Sequence, residues 1–289
     1  MSRQIDIILA ACAPAIWGST YIVTTQMLPA GYPLTNAVLR ALPAGLVLML
    51  MVRRLPPVGW LGRLLVLGGL NFAVFWAALF VAAYRLPGGV AATLGAVQPM
   101  LVLVLAHLAL GAPLTRLRVM AAMGGLIGVA LLVLGPQAQM DPLGVAAALT
   151  GAVSMACGVV LTRKWRPEVS TLTLTAWQLT AGGLLLIPAA WWFEPALPPL
   201  DVTNLSGYLW LGLFGAAISY FLWFRGIERL GPSAITGLGF LSPVTAVVLG
   251  WAVLGETLGS LQGLGAGIVL LCAWLGTRPV RHVISLHPA

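Results

Sequence analysis

Hydrophobic positions do not alternate with polar ones along this chain. They gather into ten blocks parted by short polar segments, at 5 to 27, 33 to 52, 63 to 83, 88 to 110, 118 to 135, 142 to 162, 171 to 193, 205 to 224, 233 to 254 and 261 to 277. A helix of about 20 residues crosses the roughly 30 Å hydrocarbon core of a bilayer, and most blocks approach that length. The fifth and tenth are shorter and rich in glycine. Backbone polar groups cannot go unpaired in lipid, and the ten-residue alternation of a barrel strand is missing, so the pattern predicts helices. The expected fold is all-α and integral to the membrane, with ten transmembrane helices.

Composition excludes a soluble chain: 60% of residues are hydrophobic and 8% charged, with mean hydropathy +0.99, where soluble domains carry about a quarter charged residues. A net charge of +8 would suit nucleic acid if the basic residues clustered, but they are scattered between the apolar blocks, so no such partner is expected. Cytoplasmic loops of membrane proteins concentrate Lys and Arg. With the N-terminus inside, Arg3, Arg53, Arg54, Arg63, Arg116, Arg118, Arg163, Lys164, Arg166, Arg225, Arg229, Arg278 and Arg281 all fall on the cytoplasmic side, 13 of the 15 basic residues. Arg85 is then outside and Arg40 within a span. This predicts a multi-pass membrane protein with both termini cytoplasmic. The first block is too long, and its flank too poor in charge, for a cleaved leader, so it is expected to stay as a helix. Cys12, Cys157 and Cys272 lie in different blocks without paired spacing. They read as packing residues, and neither a metal nor another cofactor is expected.

The blocks also repeat. "LGAVQPM" at 94 to 100 returns as "LGFLSPV" at 238 to 244, 144 residues on. Pairing Pro99 with Pro243 aligns Arg85 with Arg229, Leu86 with Leu230, Gly95 with Gly239, Leu110 with Leu254 and Gly111 with Gly255. In that register 11 of the 33 positions from 85 to 117 are identical, and shared Gly, Pro and Arg are not what leucine-rich helices match by chance. Five blocks per copy is an odd number, so the second copy must enter the membrane upside down. The expected organisation is two inverted five-helix repeats, 1–136 and 137–279, and a cytoplasmic tail at 280–289. Such repeats build transporters whose substrate sits near the bilayer midplane between the halves. Pro99 and Pro243 are expected inside helices, each removing an amide donor and freeing a carbonyl at a cost of about 3 kcal/mol. With Pro14 they are the expected hinge or gating positions. Packing kinks explain each proline taken singly; recurrence at matched points favours function. Gly124 with Gly128, and Gly259, Gly263 and Gly267, recur every four residues in or beside the fifth and tenth blocks. They predict close helix approach within one protomer, and a monomer and a homodimer both stay open.

At the depth of the two prolines lie Trp17, Asn71, Phe75, Gln98, Ser154, Met155 and Ser242. Buried amides are costly in lipid unless paired or facing water, which makes Asn71 and Gln98 the stronger substrate candidates. Pro14, Trp17 and Tyr21 share a face by their i, i+3, i+7 spacing; Tyr220, Trp223 and Phe224 form another, and Phe240 precedes Ser242. Aromatic walls with a few fixed polar groups suit a zwitterion bearing an apolar side chain. For any single Trp or Tyr, core or interfacial packing is the commoner role. Arg40, about two turns below the outer face and roughly aligned with Gln178, is near enough to snorkel and is expected to be a structural anchor rather than a carboxylate receptor. His107 is expected to be packed or interfacial. Asp6, Asp141, Glu168, Glu194, Asp201, Glu228 and Glu256 all lie at block ends or in loops. Proton-coupled carriers usually hold an ionisable group in the pathway, so export without evident proton coupling is expected.

"APAIWGSTYIV" at 13 to 23, "LTNAVLRALPAGLVL" at 34 to 48, "ATLGAVQPMLVLVLAHLALG" at 92 to 111 and "SYFLWFRGIERLGPSAITGLGFLSPVTAVVLGWAVLGETLG" at 219 to 259 resemble the EamA family of the drug/metabolite transporter superfamily. The most specific parts are Trp17-Gly18-Ser19, Trp223-Phe224 leading into Gly231-Pro232-Ser233-Ala234, Pro243, and Gly255-Glu256. The resemblance implies helices one to four and six to nine around a central cavity, and export of small metabolites, aromatic or neutral amino acids above all. One departure is Ala112-Pro113 where the second half has Glu256-Thr257. An exporter of cationic lipophiles is the alternative, weakened by the missing mid-span carboxylate. An integral membrane enzyme would need metal-ligand spacing or a nucleophile beside a base, and neither is present. The expected partners are therefore a small-molecule substrate and the lipid bilayer.

Overall fold

The computed structural model of the chain describes residues 3–86, 88–95, 97–112, 114–133, 141–230, 235, 237–255 and 259–276. Among these every regular element is helical. The first block forms α1 (Arg3–Gly18) and α2 (Thr20–Met27), parted at Ser19, whose amide turns back to the Ile16 carbonyl at 3.1 Å. Next is α3 (Pro33–Val52). The third block runs through α4 (Leu61–Gly68), a π-helical stretch Gly69–Val74 and α5 (Phe75–Arg85). Helices α6 (Gly88–Gly95), α7 (Gln98–Leu110) and α8 (Arg116–Val133) complete the first half. The second half comprises α9 (Pro142–Lys164), α10 (Thr171–Phe193), α11 (Val202–Leu209), a π-helical stretch Trp210–Ile218 and α12 (Ser219–Leu230). A 3-10 turn, Gly237–Phe240, then leads into α13 (Leu241–Leu254), and α14 (Ser260–Gly276) follows.

Among the described residues six continuous segments are long and apolar enough to cross a membrane: Arg3–Met27, Pro33–Val52, Val58–Arg85, Pro142–Lys164, Thr171–Phe193 and Val202–Ile227. The other expected blocks hold shorter apolar helices, Gln98–Leu110, Val119–Leu131, Leu238–Leu254 and Gly263–Cys272. Pro99 and Pro243 do not stand inside helices, as their sequence context suggests; they occupy the first turns of α7 and α13. There the missing amide is one of the orphan donors of a helix start, so the penalty of about 3 kcal/mol for an interior proline does not arise. The fourth and ninth blocks are interrupted by helix restarts, not kinked. Both restarted helices end alike, on Gly111 and Gly255 in the left-handed conformation at φ 63° and 68°, which only glycine adopts at low cost.

Under the same 144-residue shift the first π-helical stretch, carried from 69–74 onto 213–218, falls within the second, Trp210–Ile218. A π turn displaces the regular ladder and leaves a carbonyl needing another donor. Ser154 Oγ donates to the Leu70 carbonyl at 2.8 Å, and Arg40 Nη2 donates to the Gly215 carbonyl at 2.9 Å.

Packing runs between the halves. α3 lies along α10, α5 against α9, α1 against α12, and α8 against α14, while α7 contacts α9 and α13 contacts α1. Glycine makes the closest approaches: Gly68 and Gly182 face each other's backbone, and Gly45 meets Thr180. Gly124 and Gly128 approach Cys272, Gly265 and Val269, as their spacing predicts, whereas Gly263 and Gly267 face open space. All three cysteines are free thiols.

Polar contacts gather at two ends of the bundle. At one, buried Asp6 pairs with Arg225 at 3.0 Å and Arg229 at 3.7 Å, and Trp177 Nε1 donates to the Arg54 carbonyl at 2.6 Å. Arg54 and residues 166 to 170 share one surface crevice there. At the other, Arg85 pairs with Asp141 at 2.9 Å, and Glu194 caps α3 through the Leu34 and Thr35 amides. The hydrogen bond from Arg85, with the Leu143 amide, holds the Asp141 carboxyl below its ordinary range. Trp191, Trp192 and Phe193, all exposed at this end of α10, suit the membrane–water interface.

These contacts set the cost of adding side-chain atoms at the crossings. Gly182→Val, whose Cβ would meet the Gly68 carbonyl at 2.7 Å, should lower stability by about 1–3 kcal/mol through overpacking. Gly267→Ala, with open space before it, should raise helix stability by up to about 1 kcal/mol. Thermal unfolding of the purified variants in detergent checks both signs.

Candidate functional site

The break in the first span is where the site is built. Trp17 Nε1 donates to Ser219 Oγ at 2.9 Å, tying α1 to α12. Gly18 lies against the Ser242 carbonyl and Thr245 of α13, with no room for a Cβ. Ser19 Oγ accepts from Trp210 Nε1 at 2.8 Å and donates to the Ile16 carbonyl at 2.6 Å. Each residue of the Trp-Gly-Ser motif thus meets an element of the second half.

Around Trp17 six aromatic rings come together. Its ring meets Tyr220 at 5.3 Å and Trp223 at 5.1 Å between centroids. Tyr220 in turn meets Phe72 at 5.3 Å and Trp76 at 6.2 Å and stacks on Phe224 at 5.8 Å. Phe72 and Trp76 meet edge to face at 5.3 Å. Phe72, Trp76 and Tyr220 are buried, while Trp17, Trp223 and Phe224 are half-buried. The i, i+3, i+4 spacing that joins Tyr220, Trp223 and Phe224 on α12 puts them on one face, and i, i+4 does the same for Phe72 and Trp76.

Polar candidates are placed differently. Asn71, buried in the first π stretch, donates from Nδ2 to Gln178 Oε1 at 2.7 Å and Thr162 Oγ1 at 3.0 Å, and its side chain lies directly on Gly158. It bridges α9 and α10. Ser154 is spent on the Leu70 carbonyl. Gln98 and Ser242, equivalent under the repeat, are half-buried in the first turns of α7 and α13, and Met155 is half-buried on α9. Phe75 packs on the central core, and Tyr21 packs beside Gly88, Leu86 and Val90. Phe240 stands apart from the aromatic cluster, buried with Val129, Val247 and Val269 against Gly125. Pro14 is buried in α1. Gly231-Pro232-Ser233-Ala234, Pro113, Glu256-Thr257, Arg278 and Arg281 lie outside the described residues.

Arg40 departs most from expectation. It does not snorkel: 2% of it is exposed, its Nη2 holds the Gly215 carbonyl, and its guanidinium lies 4.5 Å over the Trp76 ring. The π-turn acceptor and the aromatic face hold it inside. His107 is exposed, with Nδ1 2.9 Å from the Ala112 carbonyl, near the helix end where such a contact is favourable.

Phe72 and Trp76 were not among the sequence candidates, although their i, i+4 spacing puts them on one helical face beside Asn71 and Phe75 in the chain. Asn36 was also missed. It donates to the Tyr84 hydroxyl at 2.6 Å and accepts from that of Tyr208 at 2.7 Å, joining α3, α5 and α11. Its proximity to a span end gave no sign of burial.

Aromatic faces with a few fixed donors bind and orient a molecule; Ser219, taken by Trp17, has no base beside it among the described residues. Apolar helices long enough to cross a membrane, enclosing a buried aromatic and polar interior, define a polytopic helical membrane protein. The chain belongs to the EamA-like transporter family, which matches residues 4–134 and again 142–277. It is 49% identical over 255 residues to Protein PecM of Dickeya dadantii, covering 88% of this chain and 86% of that one. It is 32% identical to the Uncharacterized inner membrane transporter YedA of Escherichia coli, over 91% and 87% of the two chains. The Probable amino-acid metabolite efflux pump of Salmonella typhimurium is 25% identical over 93% of each chain. A solved crystal structure shares the fold at TM-score 0.77 and 20% identity, over 96% of this chain and 97% of the other.

The Asn71 bridge generates a coupling prediction. Asn71→Leu strands the Gln178 carbonyl and crowds Gly158, and should cost about 1–2 kcal/mol, the range for hydrogen bonds between membrane helices. Adding Gln178→Leu should cost less than the sum of the single changes. Unfolding midpoints of the two single variants and the double variant check this.

Proposed function

We propose that the chain is an alternating-access exporter of aromatic or neutral amino acids, or close analogues, in the bacterial inner membrane. The observation that carries the reading is the aromatic cluster of Trp17, Phe72, Trp76, Tyr220, Trp223 and Phe224, contributed by both halves of the chain. Its half-buried members give an apolar side chain ring faces to stack on, each contact of this kind being worth about 0.5–1.5 kcal/mol. The relatives named as an inner membrane transporter and a probable amino-acid metabolite efflux pump support the location and the substrate class.

In this reading all ten apolar blocks cross the bilayer, in two inverted halves, 1–136 and 137–279, with both termini cytoplasmic. Two family matches in tandem support the division. Pairings that exchange under the repeat support the inversion: α5 on α9 answers α12 on α1, and Arg85 with Asp141 answers Arg229 with Asp6 at the opposite end. Movement centres on the breaks at Ser19 and at the starts of α7 and α13, with Pro14, Pro99 and Pro243 beside them. Gln98, Ser242, Met155, Phe75 and Tyr21 complete the pathway, and Asn71 and Ser154 brace it through their interhelical bonds. No acidic residue lies mid-block in the sequence, which supports transport down the substrate gradient without proton coupling. It also weighs against export of lipophilic cations, which need a buried counter-charge.

Counterflow in liposomes tests the reading. Vesicles loaded with unlabelled phenylalanine should take up labelled phenylalanine, and Trp17→Ala or Tyr220→Ala should weaken apparent affinity by roughly tenfold, as loss of one or two ring contacts implies. Exchange of tetraphenylphosphonium with phenylalanine and leucine inert contradicts the substrate class. Concentrative uptake driven by an imposed pH gradient contradicts uncoupled transport.

A further inference from the structure

We propose that Arg40 is the anion receptor of the transport site, so that the substrate must carry a carboxylate. This rests on the aromatic cluster being that site and specifies what its ligand must bear.

An arginine presents five N–H donors and cannot shed its charge at any accessible pH. Arg40 is 2% exposed, yet one contact, from Nη2 to the Gly215 carbonyl, accounts for its hydrogen bonding. Nε and Nη1 are buried without an acceptor. The ion pairs among the described residues involve Asp6 and Asp141 at the two ends of the bundle, and none reaches Arg40. The Trp76 face at 4.5 Å offsets part of the desolvation, but a ring supplies no acceptor in line with the remaining N–H groups. A buried cation with free donors is costly until an acceptor meets it, and a bound anion would supply one.

The repeat separates this charge from a structural need. Gly215 corresponds to Asn71 under the 144-residue shift, and Arg40 and Gln178 are each the eighth residue of their helices, α3 and α10. The first-half π stretch meets its partner helix through the neutral Asn71–Gln178 amide pair, while the second-half stretch meets its partner through Arg40. The same crossing is held in one place without charge, so the cation exceeds what the crossing requires. Its surroundings are those of the proposed site. Trp76, under the guanidinium, belongs to the aromatic cluster and meets Tyr220 at 6.2 Å between centroids. Arg40 would take the carboxylate in a charge-assisted, two-pronged contact while the rings take the side chain. A lipophilic cation would meet a like charge in place of an acceptor.

The test is tryptophan fluorescence titration of the full chain in nanodiscs with phenylalanine, leucine, their amides and tetraphenylphosphonium. Wild-type protein should bind the acids at least roughly 30-fold more tightly than the amides, the lower bound for losing one partner of a buried charge pair. Arg40→Gln should abolish that preference and Arg40→Lys should keep part of it. Equal binding of acid and amide by wild type, or an unchanged preference in Arg40→Gln, overturns the assignment of Arg40 and leaves the exporter reading standing. Binding of tetraphenylphosphonium with no acid bound overturns both. Should Arg40→Gln fail to fold, the acid-to-amide comparison on wild type decides alone.

Discussion

A carbonyl released from its helix inside a bilayer has no water to turn to, and this constraint shapes the interior of the protein. Two π-helical stretches release such carbonyls at matched places, and side chains from other spans supply the donors, Ser154 to Leu70 and Arg40 to Gly215. An unpaired polar group in hydrocarbon costs several kcal/mol, so each π turn persists only while its partner helix is docked. The irregular backbone and the packing of the halves therefore specify one another. The same logic operates at Ser19, whose hydroxyl turns back to Ile16 while receiving Trp210, so that the break in the first span is closed by the eighth.

From that constraint the position of the aromatic cluster follows. The second π stretch meets the broken first block through Trp210 and Ser19, and the rings of Trp17, Phe72, Trp76 and Tyr220 fill the interior beside it. Glycines bring the surrounding helices close enough for this to be a shared interior rather than two separate bundles; Gly18 against α13 and Gly68 against Gly182 leave no space for a methyl group. Arg40 sits where a π carbonyl and a tryptophan face converge. Its charge is the feature of the interior that packing does not explain.

Much of the architecture was legible in the sequence because burial in lipid leaves a strong compositional mark. Apolar blocks located the helices, and the repeated Leu-Gly-x-x-x-Pro located the breaks in the fourth and ninth blocks. The prolines were placed within helices because the sequence cannot tell a kinked helix from two abutting ones; that distinction depends on where the ladder restarts, here at Gln98 and Leu241. The π turns left no mark because their stability resides in donors distant in sequence. Among site residues the aromatic faces of α1 and α12 were readable from helical spacing, whereas Phe240 shares the apolar character of that set but points among Val129, Val247 and Val269. Arg40 was expected to reach the interface because its distance from the span end was visible and its acceptor, 175 residues away, was not.

The central claim is that the halves lie in opposite orientations about a shared interior, and the loops test it most directly. Tyr32 donates to the Ala196 carbonyl at one end and Trp177 to the Arg54 carbonyl at the other, pairings that support the proposed inversion. Single cysteines introduced as Ala30→Cys, Leu55→Cys, Glu168→Cys and Pro198→Cys, with the three native cysteines replaced, can be labelled by an impermeant thiol reagent applied to intact cells and to inverted vesicles. The account predicts labelling at 30 and 198 from outside and at 55 and 168 from the cytoplasmic side. Labelling of 30 and 168 from the same side would contradict it.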